Sequence, residues 1–199
     1  MSPISSTLAG ASTRGYGGLG ASVAPVVLSS FESIATVTVG SGSTPTIQFN
    51  SIPQTFKHLQ VRAFTRDARG ATALNNYHLQ VNGDTSNNYY SHTIMHDSTS
   101  ITAAGGLANK TDYFIEPASG ATTGTFASSI WDIYEYSSTD RYKVIRNIGG
   151  YDNNGTGRLN YNGSALYSTL DAINSLTFTN SSNANFAQYT SYALYGIKG

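Results

Sequence analysis

Four histidines and eleven carboxylates are the groups in this 199-residue chain that could do acid–base or metal chemistry. His92 and His96, with Asp97 beside them, have a spacing that metal sites use. Their segment, Tyr89-Tyr90-Ser91-His92-Thr93-Ile94-Met95, reads as a strand, on which four residues span roughly 13 Å, too far for both rings to hold one ion. They are read as surface histidines, and His58 and His78 as strand-face residues. Asp152-Asn153-Asn154-Gly155-Thr156-Gly157 places side-chain oxygens at positions 1, 3 and 5 and a glycine at 6, as a calcium loop does. Position 12 is Gly163, where that loop needs a bidentate glutamate, so the string is read as a hairpin turn. Glu116, Glu135, Asp132, Asp140 and Asp112 are the acids from which a glycosidase pair would be drawn, and Asp132 and Glu135 fall on opposite faces of one strand. No G-x-S-x-G elbow occurs. Gly15-x-Gly17-x-x-Gly20 follows no strand and opens no helix, as a dinucleotide loop must. The chain has no cysteine, which excludes thiolate zinc, a cysteine nucleophile and a disulfide scaffold. No catalytic residue, cofactor or metal is assigned, and the chain is expected not to be an enzyme.

The elements that hold these groups follow from composition and periodicity. Only 11% of residues are charged, with 11 basic and 11 acidic side chains, so the basic face that nucleic-acid binding requires is lacking. No apolar run approaches the 18 residues of a membrane-spanning helix. Met1 to Thr13 has neither the basic residues nor the apolar run of a secretory signal, so use without cleavage is expected. Ser, Thr and Asn make up 65 residues. A hydroxyl- and amide-rich surface of zero net charge repels its own copies weakly, which suits a chain packed against a partner or working outside a cell.

From Phe31 onward, short runs of β-branched and aromatic residues alternate with turn clusters. Strands are predicted near Phe31–Val39, Thr46–Phe49, His58–Arg66, Tyr77–Asn82, Tyr89–Met95 and Tyr113–Ile115. Further strands are predicted near Thr125–Tyr136, Tyr142–Gly150, Leu159–Tyr161, Ile173–Thr179 and Tyr189–Tyr195. Leu59, Val61 and Ala63 face one way and Gln60, Arg62 and Phe64 the other. Ile130, Asp132, Tyr134 and Tyr136 likewise oppose Trp131, Ile133 and Glu135. Gly40 to Ser43, Asn82-Gly83-Asp84, Asn162-Gly163-Ser164 and Asn180 to Asn185 carry turn chemistry. Ser168 to Ser175 has room for one short helical turn, and Ala118–Gly124 reads as a mobile loop or hairpin tip. The expected class is all-β, an antiparallel β-sandwich or jelly roll spanning residues 30–199. Trp131 is expected in its core. The pairs Tyr89/Tyr90, Tyr134/Tyr136 and Tyr192/Tyr195 are candidates to coat one sheet face or a subunit interface, or to stack on sugars.

Residues 1–29 have neither periodicity and are rich in Gly and Ser. They are read either as a plain leader or as an extended N-terminal arm that orders on a neighbouring subunit. On the second reading Leu8, Tyr16, Leu19, Val23, Val26 and Val27 are the buried points, and Arg14 pairs with a carboxylate of the partner.

The chain beyond the leader resembles structural proteins of tailed bacteriophages, particularly phages of cyanobacteria and other aquatic bacteria. The resemblance lies in Ser30-Phe31-Glu32-Ser33-Ile34-Ala35-Thr36-Val37-Thr38-Val39 and in Ile52-Pro53-Gln54-Thr55-Phe56-Lys57-His58-Leu59-Gln60-Val61-Arg62. It continues in Tyr134-Glu135-Tyr136-Ser137-Ser138-Thr139, in Tyr142-Lys143-Val144-Ile145-Arg146, in Gly150-Tyr151-Asp152-Asn153-Asn154-Gly155 and in Ser191-Tyr192-Ala193-Leu194-Tyr195-Gly196-Ile197. It implies a virion protein, made in the host cytoplasm and assembled on the capsid exterior. The implied role is that of a decoration (cement) protein binding the major capsid protein and clamping neighbouring subunits. A tail, baseplate or fibre module that binds receptor glycans is the alternative. Symmetric self-association, as a dimer or trimer, is expected, with no nucleic acid or membrane as partner.

Overall fold

Along Ala127–Tyr134 the side chains alternate: Ala127, Ser129, Trp131 and Ile133 are buried, while Ser128 and Ile130 are exposed. His58–Thr65 does the same, with Leu59, Val61, Ala63 and Thr65 buried. This period of two is that of strands with one face on a core. The computed structural model describes residues 30–70, 73–97, 99–111, 114–118, 120–153 and 158–199, and they form an antiparallel all-β sandwich, as expected. The arm residues Leu8, Arg14, Tyr16, Leu19, Val23, Val26 and Val27 lie outside the described residues.

The larger sheet has eight strands. In spatial order they are β1 (Phe31–Thr38), β14 (Ser191–Ile197), β4 (His58–Thr65), β9 (Ala127–Tyr134), β10 (Lys143–Asp152), β11 (Arg158–Tyr167), β6 (Tyr89–Asp97) and β7 (Ile101–Ala108). The smaller sheet runs β3 (Thr46–Phe49), β12 (Leu176–Asn180), β5 (Leu74–Val81) and β8 (Phe114–Pro117). A two-stranded ribbon pairs β2 (Ser43–Thr44) with β13 (Phe186–Ala187).

Trp131 of the large sheet is fully buried, as expected, and joins the layers. Its ring meets Tyr77 of β5 at 5.7 Å and Phe178 of β12 at 5.5 Å, both edge-on. Phe178 in turn lies 4.5 Å from Tyr192 of β14. Aromatic pairs of this kind add about 0.5–1.5 kcal/mol each beyond the area they bury.

The tyrosine pairs do not share a face. Tyr89 and Tyr192 are in the core, while Tyr90 is exposed and Tyr195 half-buried on the other side. Tyr134 and Tyr136 are separated differently. Glu135 has φ 51°, which breaks the alternation and turns Tyr136 into the core, where its hydroxyl donates to the Pro53 carbonyl.

Two loop expectations change as well. Asn162-Gly163-Ser164 is not a turn but the middle of β11, because Gly163 is paired with Asn147 on one side and Thr93 on the other. Ladders on both edges outweigh local turn preference. At the loop that ends in Gly124, buried Arg66 donates to the carbonyls of Ala121 (3.1 Å) and Thr122 (3.0 Å) and, just beyond the loop, to that of Thr125 (2.7 Å). The one described helical turn is a 3-10 turn at Ser181–Asn183, not within Ser168–Ser175.

Asn82-Gly83 does form a turn. Both residues have positive φ, 53° and 67°, and the Asp84 amide donates to the Val81 carbonyl at 2.9 Å, the geometry of a type I′ turn. Residues 154–157 of the Asn-Gly string lie outside the described residues; the strands flanking them pair Asp152 with Arg158.

Candidate functional site

Burying Trp131, Ile133 and Ile145 inward leaves the alternate residues of β4, β9, β10, β11, β6 and β7 on the outer face of the large sheet. The strand registers set these out in rows. One row reads Arg62, Ile130, Ile148, Asn162, Ile94, Ala103 across the six strands. The next reads Gln60, Asp132, Arg146, Ser164, His92, Gly105. A third carries His58, Tyr134, Val144, Leu166, Tyr90 and Leu107.

Ile148 is 57% exposed and Ile94 59%; Phe64, Tyr90, Val144 and Leu107 are also exposed on this side. Single exposed apolar residues are ordinary, whereas a series spanning neighbouring strands is a feature found on contact surfaces.

The relief of the face comes from residue size. Ile148 and Ile94 rise above a floor of Ala103, Gly105, Ser128, Gly150 and Ser164. Gly105 is required here: a Cβ on it would sit 2.6 Å from His92 Nδ1 and 2.8 Å from the Ser91 carbonyl oxygen, so its absence lets the imidazole lie over β7. Two open hollows result. One of about 670 Å³ is lined by His92, Ile94, Gly105, Arg146, Asn162 and Ser164. The other, about 700 Å³, is lined by Arg62, Ser128, Ile130, Ile148, Gly150 and Asn160. A smaller, mostly apolar hollow of about 350 Å³ joins Ile94, His96, Ile148 and Asn160.

Polar groups on this side are tied to one another. Arg62 Nε donates to Gln60 Oε1 at 2.9 Å, and Gln60 Nε2 donates to Asp132 Oδ1 at 2.8 Å. The Arg62 guanidinium also lies 5.2 Å from the centre of the Tyr195 ring and 5.9 Å from that of Phe31, a cation–π arrangement. The face thus offers apolar points, amides and hydroxyls, the guanidinium groups of Arg62 and Arg146, and the carboxylates of Asp132 and, at the end of β10, Asp152.

The carboxylates expected from sequence are dispersed. Asp132 is held by Gln60, Glu135 pairs with Lys57 at 3.0 Å, and Asp140 pairs with Arg141 at 2.8 Å. The Arg141 and Ser138 hydrogen bonds hold the Asp140 carboxyl far below the usual range. Asp112 and the side chain of Glu116 lie outside the described residues. Among the described residues no three His, Asp or Glu gather closely enough to hold a metal ion. His92 and His96 share the outer face two rows apart, His92 opposite Ser164 and His96 opposite Asn160.

The isoleucine row was not singled out by sequence reading. Its signal was present: β9 and β10 carry apolar residues in both phases, Ile130 against Trp131 and Ile148 against Ile145, as strands apolar on both faces do.

Compared with known proteins, the chain matches no family model, no curated protein and no solved structure.

Proposed function

We propose that this chain is a virion structural protein of the capsid-decoration kind. It seats the outer face of its large sheet on the major capsid protein from the particle's exterior and clamps neighbouring subunits. The observation that carries this reading is the row Arg62–Ile130–Ile148–Asn162–Ile94–Ala103, an apolar-centred strip across six paired strands with no second layer over it among the described residues. The strand order gives further support. Setting aside β2, β13 and the hairpins β6–β7 and β10–β11 leaves β1-β14-β4-β9 facing β3-β12-β5-β8. This alternation supports a jelly-roll reading of the sandwich, an architecture of viral capsid and lectin domains. The two hairpins widen one sheet, and with it the face available for contact.

The mechanism is thermodynamic. A protein that binds only the assembled shell stabilises that state by mass action, and contacts repeated over a symmetric particle add through multivalency. Residues 1–29 act as a second grip, with Leu8, Tyr16, Leu19, Val23, Val26 and Val27 as apolar points and Arg14 as the charged one. Cosedimentation with assembled shells tests the grip. The full chain is expected to bind and a chain lacking residues 1–28 to remain folded and stay in the supernatant; equal binding by both removes the arm from the account.

A second reading, a glycan-binding module on a tail or baseplate, is favoured by one feature, the hollow in which Arg146, Asn162, Ser164 and His92 surround Ile94. A glycan array separates the two, since sugar-specific binding blocked by Asn162→Ala favours the adhesin.

A further inference from the structure

Three of the four outer edges of the two sheets are guarded. The edge strand β1 carries Glu32, ion-paired with Lys198 at 2.9 Å, and a register shift between Ser33 and Ala35. The edges of the small sheet, β3 and β8, are four residues each among the described residues, and β8 ends on Pro117. Charges, bulges and shortness are the devices by which proteins stop edges from pairing with other chains. β7 has none of them. It is eight residues long, Ile101-Thr102-Ala103-Ala104-Gly105-Gly106-Leu107-Ala108, without a charge or a proline, and its pairing with β6 runs without a register shift. Ile101 is 74% exposed and Leu107 50%.

Its residue pattern states what fits there. On the outer face β7 presents Ile101, Ala103, Gly105 and Leu107, opposite His96, Ile94, His92 and Tyr90 of β6. Large, small, small, large is a palindrome in size. In an antiparallel pair centred on Ala104, Ile101 of one copy stands opposite Leu107 of the other, and Ala103 opposite Gly105, twice by symmetry. We infer that β7 is a self-pairing edge, through which two copies of this chain join as an isologous dimer with one continuous sheet. The two-fold axis is perpendicular to the sheet, so both outer faces point the same way and Ile101 and Leu107 close the gap between them. The inference goes beyond the proposed function and does not rest on it: a dimer that ignores shells, or a monomer that binds them, tells the two apart.

Light scattering on the full chain reads the state directly, with a mass twice that of the 21.1 kDa chain expected. Ile101→Lys is expected to halve that mass. Adding Leu107→Glu is expected to restore it, because the introduced ammonium of each copy then meets the introduced carboxylate of the other. The chain has no cysteine, so a single one reports register. Ala104→Cys sits on the axis, where opposite Cα atoms lie about 4.5–5.5 Å apart, within disulfide reach. It is expected to form a covalent dimer on oxidation. Thr102→Cys, roughly 13 Å from its symmetry mate, is expected not to. A wild-type monomer throughout a concentration series, a dimer indifferent to Ile101→Lys, or equal cross-linking at 102 and 104 overturns the inference.

Discussion

Ile130 on β9 and Ile148 on β10 are direct cross-strand neighbours, and both stand on the side of the large sheet that faces away from Trp131. On the inward side of the same two strands Trp131, Ile133 and Ile145 are fully buried. The central strands therefore spend apolar side chains on both faces, one for the core and one for the outside. Burial accounts for the first; contact with another molecule is the proposed account of the second.

Arg66 ties a loop to the core. Its guanidinium reaches three backbone carbonyls, those of Ala121, Thr122 and Thr125, and hydrogen bonds to charged groups contribute about 1.5–3 kcal/mol. Arg66→Ala is expected to destabilise the fold by about 2–4 kcal/mol, lowering Tm by about 2–4 °C for each kcal/mol. Arg66→Lys, a point charge without the planar fork, recovers only part of this. Thermal unfolding followed by the emission of the single tryptophan measures both.

Gly196 of β14 lies against the face of the Phe56 ring, and a Cβ on it would meet the ring carbons. Phe56 is itself buried, so the ring has little room to withdraw. Gly196→Ala is expected to cost about 1–3 kcal/mol, the range for overpacking, and Gly196→Val more. The open positions Gly40 and Gly42 show the contrast: Gly40→Ala, with nothing near its Cβ and no positive φ, is expected to leave Tm within about 1–2 °C.

Asp97 closes the β6–β7 hairpin by accepting the Thr99 and Ser100 amides at 2.7 Å each. These bonds, led by that from the Thr99 amide, push its pKa down to about 2. A carboxyl whose folded pKa is depressed contributes stability above its unfolded pKa, near 4, and loses it as the pH falls through the folded value. The difference in Tm between the wild type and Asp97→Ala is therefore expected to be present at about pH 6 and to shrink between about pH 4 and pH 2. A difference that stays constant over that window contradicts the assignment.

Much of the fold was legible because alternation carries it. Leu59, Val61 and Ala63 against Gln60, Arg62 and Phe64, or Trp131 against Ile130, can be assigned to faces without coordinates. β7 was not legible: Ala103, Ala104, Gly105 and Gly106 have no strand preference, and their extended state comes from pairing with β6. Gly163 misled for the same reason, since its ladder partners Asn147 and Thr93 are distant in sequence. The outer face was half legible. Isoleucines in both phases showed that two sides were apolar, but which strands lie side by side, and hence that Ile130, Ile148 and Ile94 fall in one row, depends on a topology in which β11 separates β10 from β6.

The row through Ile130, Ile148 and Ile94 is the proposed contact surface. Cosedimentation of the Ile94→Glu/Ile148→Glu chain with assembled shells tests it most directly. Both side chains are more than half exposed, so Tm is expected to move by only a few degrees at most. Binding is expected to weaken by at least about tenfold, the equivalent of about 1.4 kcal/mol. A doubly substituted protein that decorates shells as tightly as the wild type contradicts the account.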